Sequence, residues 1–115
     1  MVFRVLDATA FYAGIPFASN DSFMTTSMVY EEIEHIKTKQ GALEMLQQTN
    51  RLQIRDPTEK SIISVTDASI KTGDNSTISK QDISIVALAL ENNIELITDD
   101  FAVTNIAKQL KIKTD

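Results

Sequence analysis

Two short apolar runs rich in β-branched residues, Val2-Phe3-Arg4-Val5-Leu6 and Ile94-Glu95-Leu96-Ile97-Thr98, each stop directly at an acid, Asp7 and Asp99. Runs of this density fit buried strands at the centre of a parallel sheet better than exposed hairpins. The stretches between them carry the 3.6-residue period of amphipathic helices. Val29, Ile33 and Ile36 share one face from Ser27 onward, and Leu43 and Leu46 mark a second helix over residues 42–50. Leu52-Gln53-Ile54-Arg55 alternates as a short strand, and residues 23–26 are too few to place in either class. A short helical turn is expected over residues 9–13, ending near Gly14 and Pro16, with residues 15–20 as a loop.

Punctuation sharpens the second half. Asp56, Pro57 and Glu59 read as N-cap, first helical residue and third position of a helix that stops at Gly73. Residues 74–78 form a polar loop. Ser79 caps the next helix, whose apolar positions are Ile83, Val86, Ala87 and Leu90, and Asn92-Asn93 ends it. A last helix covers residues 101–110, and Ile112 marks a final edge strand. Strands alternating with helices predict an α/β sandwich, a parallel sheet covered by helices. In such folds ligands gather beyond the carboxyl ends of the strands.

Acids placed where apolar elements end are costly to crowd together unless something positive is held between them. Asp7, Glu32, Asp82 and the Asp99-Asp100 pair have such positions, and a hard divalent cation with oxygen ligands is the natural occupant. Each also has a plain structural reading. Asp7 could cap the helix that opens near Thr9, Glu32 could be a solvated helix residue, and Asp82 stands at capping-box spacing from Ser79. Of the adjacent pair, one carboxylate could cap the last helix while the other reaches the site, with Asp100 preferred over Asp99. Thr9, Thr98 and Asn105 are candidates to orient a carboxylate or a water.

Other chemistries fit poorly. The 115 residues contain no cysteine, which removes disulfides and thiolate zinc sites. The one histidine, His35, sits in a polar helical stretch, and Gly14, Gly41 and Gly73 are too isolated for a phosphate loop. Sixteen acids against eleven Lys plus Arg give a net charge of −5, which argues against a broad duplex-binding surface. No window approaches the roughly 18 apolar residues of a membrane span, and the start lacks a signal-peptide pattern, so a cytoplasmic, single-domain protein over residues 1–115 is expected. A phospho-accepting signalling domain would want an acceptor Asp after a middle strand and a late Lys. Asp56-Pro57 reads better as a helix start, and no Lys follows a suitable late strand.

Taken in order, these blocks resemble the PIN-domain ribonuclease family. Val5-Leu6-Asp7-Ala8-Thr9 is similar to its first acid with a hydroxyl two residues on, and Val29-Tyr30-Glu31-Glu32-Ile33 to its second, matching Glu32. Thr72-Gly73-Asp74 with Ile78-Ser79-Lys80-Gln81-Asp82 resembles the third-acid region, and Leu96-Ile97-Thr98-Asp99-Asp100-Phe101 the fourth. The last block and the spacing from Ser79 to Leu90 are most similar to the archaeal and eukaryotic branch that matures the 3′ end of small-subunit ribosomal RNA. The resemblance implies a three-layer PIN-like sandwich and an Mg²⁺- or Mn²⁺-dependent endoribonuclease. Asp7, Glu32, Asp82 and Asp100 would be its catalytic acids, with Asp99 as a further metal ligand. It implies single-stranded or partly structured RNA as substrate, such as precursor small-subunit rRNA, and is compatible with a homodimer. Members of that branch commonly carry a zinc ribbon after this domain, so the chain is expected to be an excised domain or a stand-alone relative. A toxin-type PIN ribonuclease and a non-catalytic RNA- or protein-binding domain share the same pattern.

Overall fold

The computed structural model describes residues 2–34 and 40–114. Four parallel strands, β1 (Phe3–Leu6), β2 (Ser22–Thr25), β3 (Leu52–Ile54) and β4 (Leu96–Ile97), form one sheet in the order β3-β2-β1-β4. Register aligns Val5 with Met24 and Leu6 with Ile97, and Met24 with Gln53. Among the described residues the sheet is flanked by six α-helices: α1 (Ala8–Tyr12), α2 (Ser27–Ile33), α3 (Gln40–Gln48), α4 (Glu59–Thr72), α5 (Lys80–Asn92) and α6 (Phe101–Gln109). Helix α5 packs on β1 and β4, while α4 packs on both α5 and α6. The expected α/β sandwich with a central parallel sheet is the fold observed.

The chain steps from β1 to β2 to β3 in one direction and then returns to place β4 on the other side of β1. That reversal makes the carboxyl ends of β1 and β4 the topological switch point of the sheet, the position where α/β sheets bind ligands. The core behind it is apolar. Val5, Leu6, Phe23, Ile33, Val65, Ile85, Leu88, Leu96 and Ile106 are all fully buried.

Several local expectations shift. Residues 22–25 form the buried strand β2, which lies between β1 and β3, and residues 15–17 form a 3-10 turn within the expected loop. The cap of α4 is Thr58, whose hydroxyl accepts from the Ser61 N–H, and not Asp56. Asp56 instead accepts from the N–H and the hydroxyl of Ser27 at 3.0 and 2.8 Å, so it serves the first residue of α2. The final sheet contact is also displaced: Thr114, not Ile112, bridges to Leu96 in parallel. Gly73 ends α4 in the left-handed region at φ 79°, a conformation that glycine adopts without a Cβ penalty, and Asn93 ends α5 at φ 54°. His35 and Ile36 lie outside the described residues. Among the described residues no helix is long and apolar enough to cross a membrane.

Candidate active site

Asp7 is the residue at which β1 turns into α1, and it is only 2% exposed. Its Oδ1 accepts from the Thr9 hydroxyl at 2.7 Å and from the Ala10 N–H at 2.8 Å. Its Oδ2 accepts from the Thr98 hydroxyl at 2.6 Å. Burying a carboxylate is tolerable because three donors replace water. Three donors occupy three of the roughly four lone-pair positions, so Oδ2 can still accept a further contact.

Thr98 links this acid to the next. Its hydroxyl donates to Asp7 and accepts from the Asp100 N–H at 3.1 Å. Asp100 caps α6, its Oδ1 accepting from the Val103 N–H at 3.2 Å. The division of labour expected for the acidic pair therefore falls mostly on one residue, since Asp99 is exposed and makes no hydrogen bond among the described residues.

Asp82 is the third residue of α5, and its N–H donates to the Ser79 hydroxyl at 3.1 Å, as the capping-box reading expects. Burial pushes its carboxyl above the ordinary aspartate range. Hydrogen bonding with Ser79 draws it partly back, and the charges of Asp100 and Asp7 push it up again. Asp82 thus feels the charges of Asp100 and Asp7, and none of the three forms an ion pair among the described residues.

A buried hydroxyl pair that sequence reasoning missed steadies the same edge. Thr26 Oγ1 lies 2.8 Å from Ser84 Oγ, and Ser84 donates to the Gln81 carbonyl at 2.6 Å. With its single proton committed to Gln81, Ser84 accepts from Thr26. The start of α2 is thereby fastened to the fifth residue of α5, while Thr25 donates to the Leu6 carbonyl at 3.0 Å. The available signal was two hydroxyls, Thr25-Thr26, ending an apolar run.

Other candidates are less constrained. Glu32 is exposed near the end of α2, not at a helix start, and Asn105 is half-buried on α6. Neither makes a hydrogen bond or ion pair among the described residues. Nor do any three acids of the described residues stand close enough, as placed, to enclose an ion. The donor set nevertheless suits a hard cation: carboxylate oxygens that, among the described residues, pair with no Lys or Arg. Mg²⁺ in particular keeps several waters and needs only one or two carboxylates, so it does not require a closed cage.

A parallel α/β sheet with the buried Asp7 and the half-buried Asp82 and Asp100 at the ends and starts of its elements defines an oxygen-rich site of the kind divalent-cation chemistry uses. Comparison with known proteins makes that class specific. Residues 4–91 match the family described as the PIN domain of ribonuclease. The chain is 40% identical over 114 residues to endoribonuclease Nob1 of Methanocaldococcus jannaschii, covering 98% of this chain and 55% of that protein. It is 36% identical over 80 residues to the 20S-pre-rRNA D-site endonuclease NOB1 of Saccharomyces cerevisiae, covering 70% of this chain and 17% of that one. A solved structure of VapBC2 from Rickettsia felis bound to a promoter DNA fragment has a similar fold, with a TM-score of 0.62 and 16% identity over 99% of this chain and 98% of that one. The chain belongs to the PIN-domain family of ribonucleases. It spans little more than half the length of the Methanocaldococcus relative.

Proposed function

We propose that this chain is a metal-dependent endoribonuclease domain that hydrolyses RNA phosphodiester bonds during maturation of small-subunit ribosomal RNA. The observation that carries the chemistry is the buried Asp7 carboxylate at the end of β1, tied through the Thr98 hydroxyl to Asp100 at the start of α6, with no ion pair to either acid among the described residues. Support for the RNA target comes from 40% identity to endoribonuclease Nob1 across 98% of the chain, and from the likeness to the yeast D-site endonuclease. A toxin-type ribonuclease would use the same acids.

Asp7, Asp82 and Asp100 would hold Mg²⁺ or Mn²⁺, with Glu32 and Asp99 reaching in from their exposed positions. A cation there supplies Lewis-acid polarisation of the scissile phosphate and lowers the pKa of the attacking water. Thr9 and Thr98 hold the Asp7 carboxylate in one orientation, and Thr98 also fixes the start of α6 that carries Asp100. Asn105 would orient a carboxylate or water from the same helix. In hydrolysis a water oxygen bonds to phosphorus and the P–O3′ bond breaks. The departing 3′ oxygen takes a proton, leaving 5′-phosphate and 3′-hydroxyl ends. Excluding bulk water from Asp7 keeps the electrostatics strong where charge develops.

The test is cleavage of labelled RNA in Mg²⁺, Mn²⁺ or EDTA by the native chain, Asp7→Asn and Asp82→Asn. Activity should need the metal and fall by at least about 100-fold in either variant. Cleavage in EDTA, or full activity in both variants, would overturn the proposal.

A further inference from the structure

Phe101 is 81% exposed, although it is the first residue of α6 and directly follows Asp100. Helix α6 has an ample apolar face without it: Val103, Ile106 and Ala107 are fully buried in the core. Phe101 instead shares the opposite face with Asn105 and Lys108, at the four- and three-residue spacing of neighbours on a helix surface. That face begins beside the acids and extends roughly 10 Å along the helix. It carries an aromatic ring, an amide and an exposed ammonium that forms no ion pair among the described residues. An exposed aromatic followed by an amide and a cation is the composition of a single-strand track, where bases stack on rings and phosphates meet lysines.

We propose that Phe101 is a nucleobase-stacking residue next to the acidic site, with Lys108 meeting a phosphate further along the same strand. The inference rests on the ribonuclease reading and narrows its substrate. A base must be unstacked from its neighbours to lie on Phe101, so the strand at the cut is single-stranded there. Paired RNA keeps its bases inside the helix, where the ring cannot reach a base face. The ring also fixes the strand's register relative to Asp100, which makes Phe101 a positioning residue for the scissile phosphate. Alternatively, a protein segment could cover the ring, and the test separates the two.

The chain contains no tryptophan, so Phe101→Trp introduces a single fluorescent reporter at the site. In EDTA, which keeps the strand intact, a short oligoadenylate should quench that emission, and an abasic ribose-phosphate oligomer of equal length should not. Phe101→Ala should weaken oligoadenylate binding by roughly 5- to 150-fold, the range for one stacked base. Phe101→Trp should keep native affinity, and Phe101→Leu should stay weak because it restores apolar area without a π face. Lys108→Gln should weaken adenylate and abasic oligomers alike and reduce the salt dependence. Unchanged binding by Phe101→Ala, or equal quenching by the abasic oligomer, would overturn the inference and leave the ring to a protein partner. Labelled-RNA cleavage in Mg²⁺ keeps the two readings apart. Cleavage insensitive to Phe101 sinks only the stacking role, whereas Phe101-dependent binding without any cleavage sinks only the nuclease.

Discussion

The Thr98 hydroxyl donates to Asp7 Oδ2 at 2.6 Å across 91 residues of sequence, joining the ends of β4 and β1. Thr98→Val keeps the β-branched shape and removes the donor, leaving one oxygen of a buried carboxylate short of a partner. The expected cost is about 1–3 kcal/mol, read as a lowered denaturant midpoint. RNA cleavage should fall about 10- to 100-fold through loss of the carboxylate's orientation. Thr98→Ser should recover most of both, and a Val variant with native stability would remove the bond's importance.

Asp82 is held against its preference, by burial and by the charges of Asp100 and Asp7. Relieving the repulsion with Asp82→Asn should therefore raise the melting temperature in EDTA by on the order of a few °C, while cleavage is lost. Added Mg²⁺ should stabilise the native chain more than the variant, because binding to the folded state alone raises its stability. Calorimetry with and without the ion checks both points. A variant less stable than the native chain in EDTA would mean that the hydrogen bonding of the Asp82 carboxylate with Ser79 outweighs the repulsion.

Glu91 reaches from α5 to the start of α4, where Oε1 accepts from the Thr58 N–H at 2.9 Å and the Ser61 hydroxyl at 3.1 Å. Hydrogen bonds from Thr58, with a smaller one from Ser61, hold its carboxyl below the ordinary glutamate range. A depressed folded value means that the ionised form favours folding. The contribution is complete above the unfolded value of 4.5 and disappears as the pH falls through the lower folded one. Glu91→Gln should flatten that acid limb of the stability curve and, at so exposed a position, lower the neutral-pH melting temperature by no more than a few °C. An unchanged limb in a pH series of melts would show that the bond is not kept in solution.

Asp56→Ala tests the exchange of caps. It should loosen α2 by about 1 kcal/mol, because Ser27 loses its acceptor, and leave α4 intact under Thr58. Amide hydrogen exchange should speed up at Ser27 and not at Ser61. The reverse pattern would restore Asp56 to the helix that follows it.

What was legible in the chain was what local rules decide. Gly73 stops α4 and Ser79 starts α5 because one residue's backbone freedom or side chain suffices. Asp7 stood out because a strand ends there, and Thr9 because it is two residues away. Strand β2 was illegible for the opposite reason: all four of its residues are buried, so no alternation marks it. Asp56 misled because its partner is 29 residues away, and a cap borrowed by another helix leaves no trace in spacing. The Thr26–Ser84 bond spans 58 residues and is invisible for the same reason. Glu32 and Asp99 matched a motif, but among the described residues their exposed side chains make no hydrogen bond or ion pair that would fix them.

Strand β4 is two residues long, yet Leu96 is held from both sides: it pairs with Val5 of β1, and its N–H donates to the Lys113 carbonyl at 2.9 Å. The segment 113–114 therefore acts as a clasp. Leu96 is two residues from Thr98, and Thr98 is the donor that aims Asp7. Mechanical slack introduced at 113–114 has only that short lever to cross before it reaches the Asp7 carboxylate.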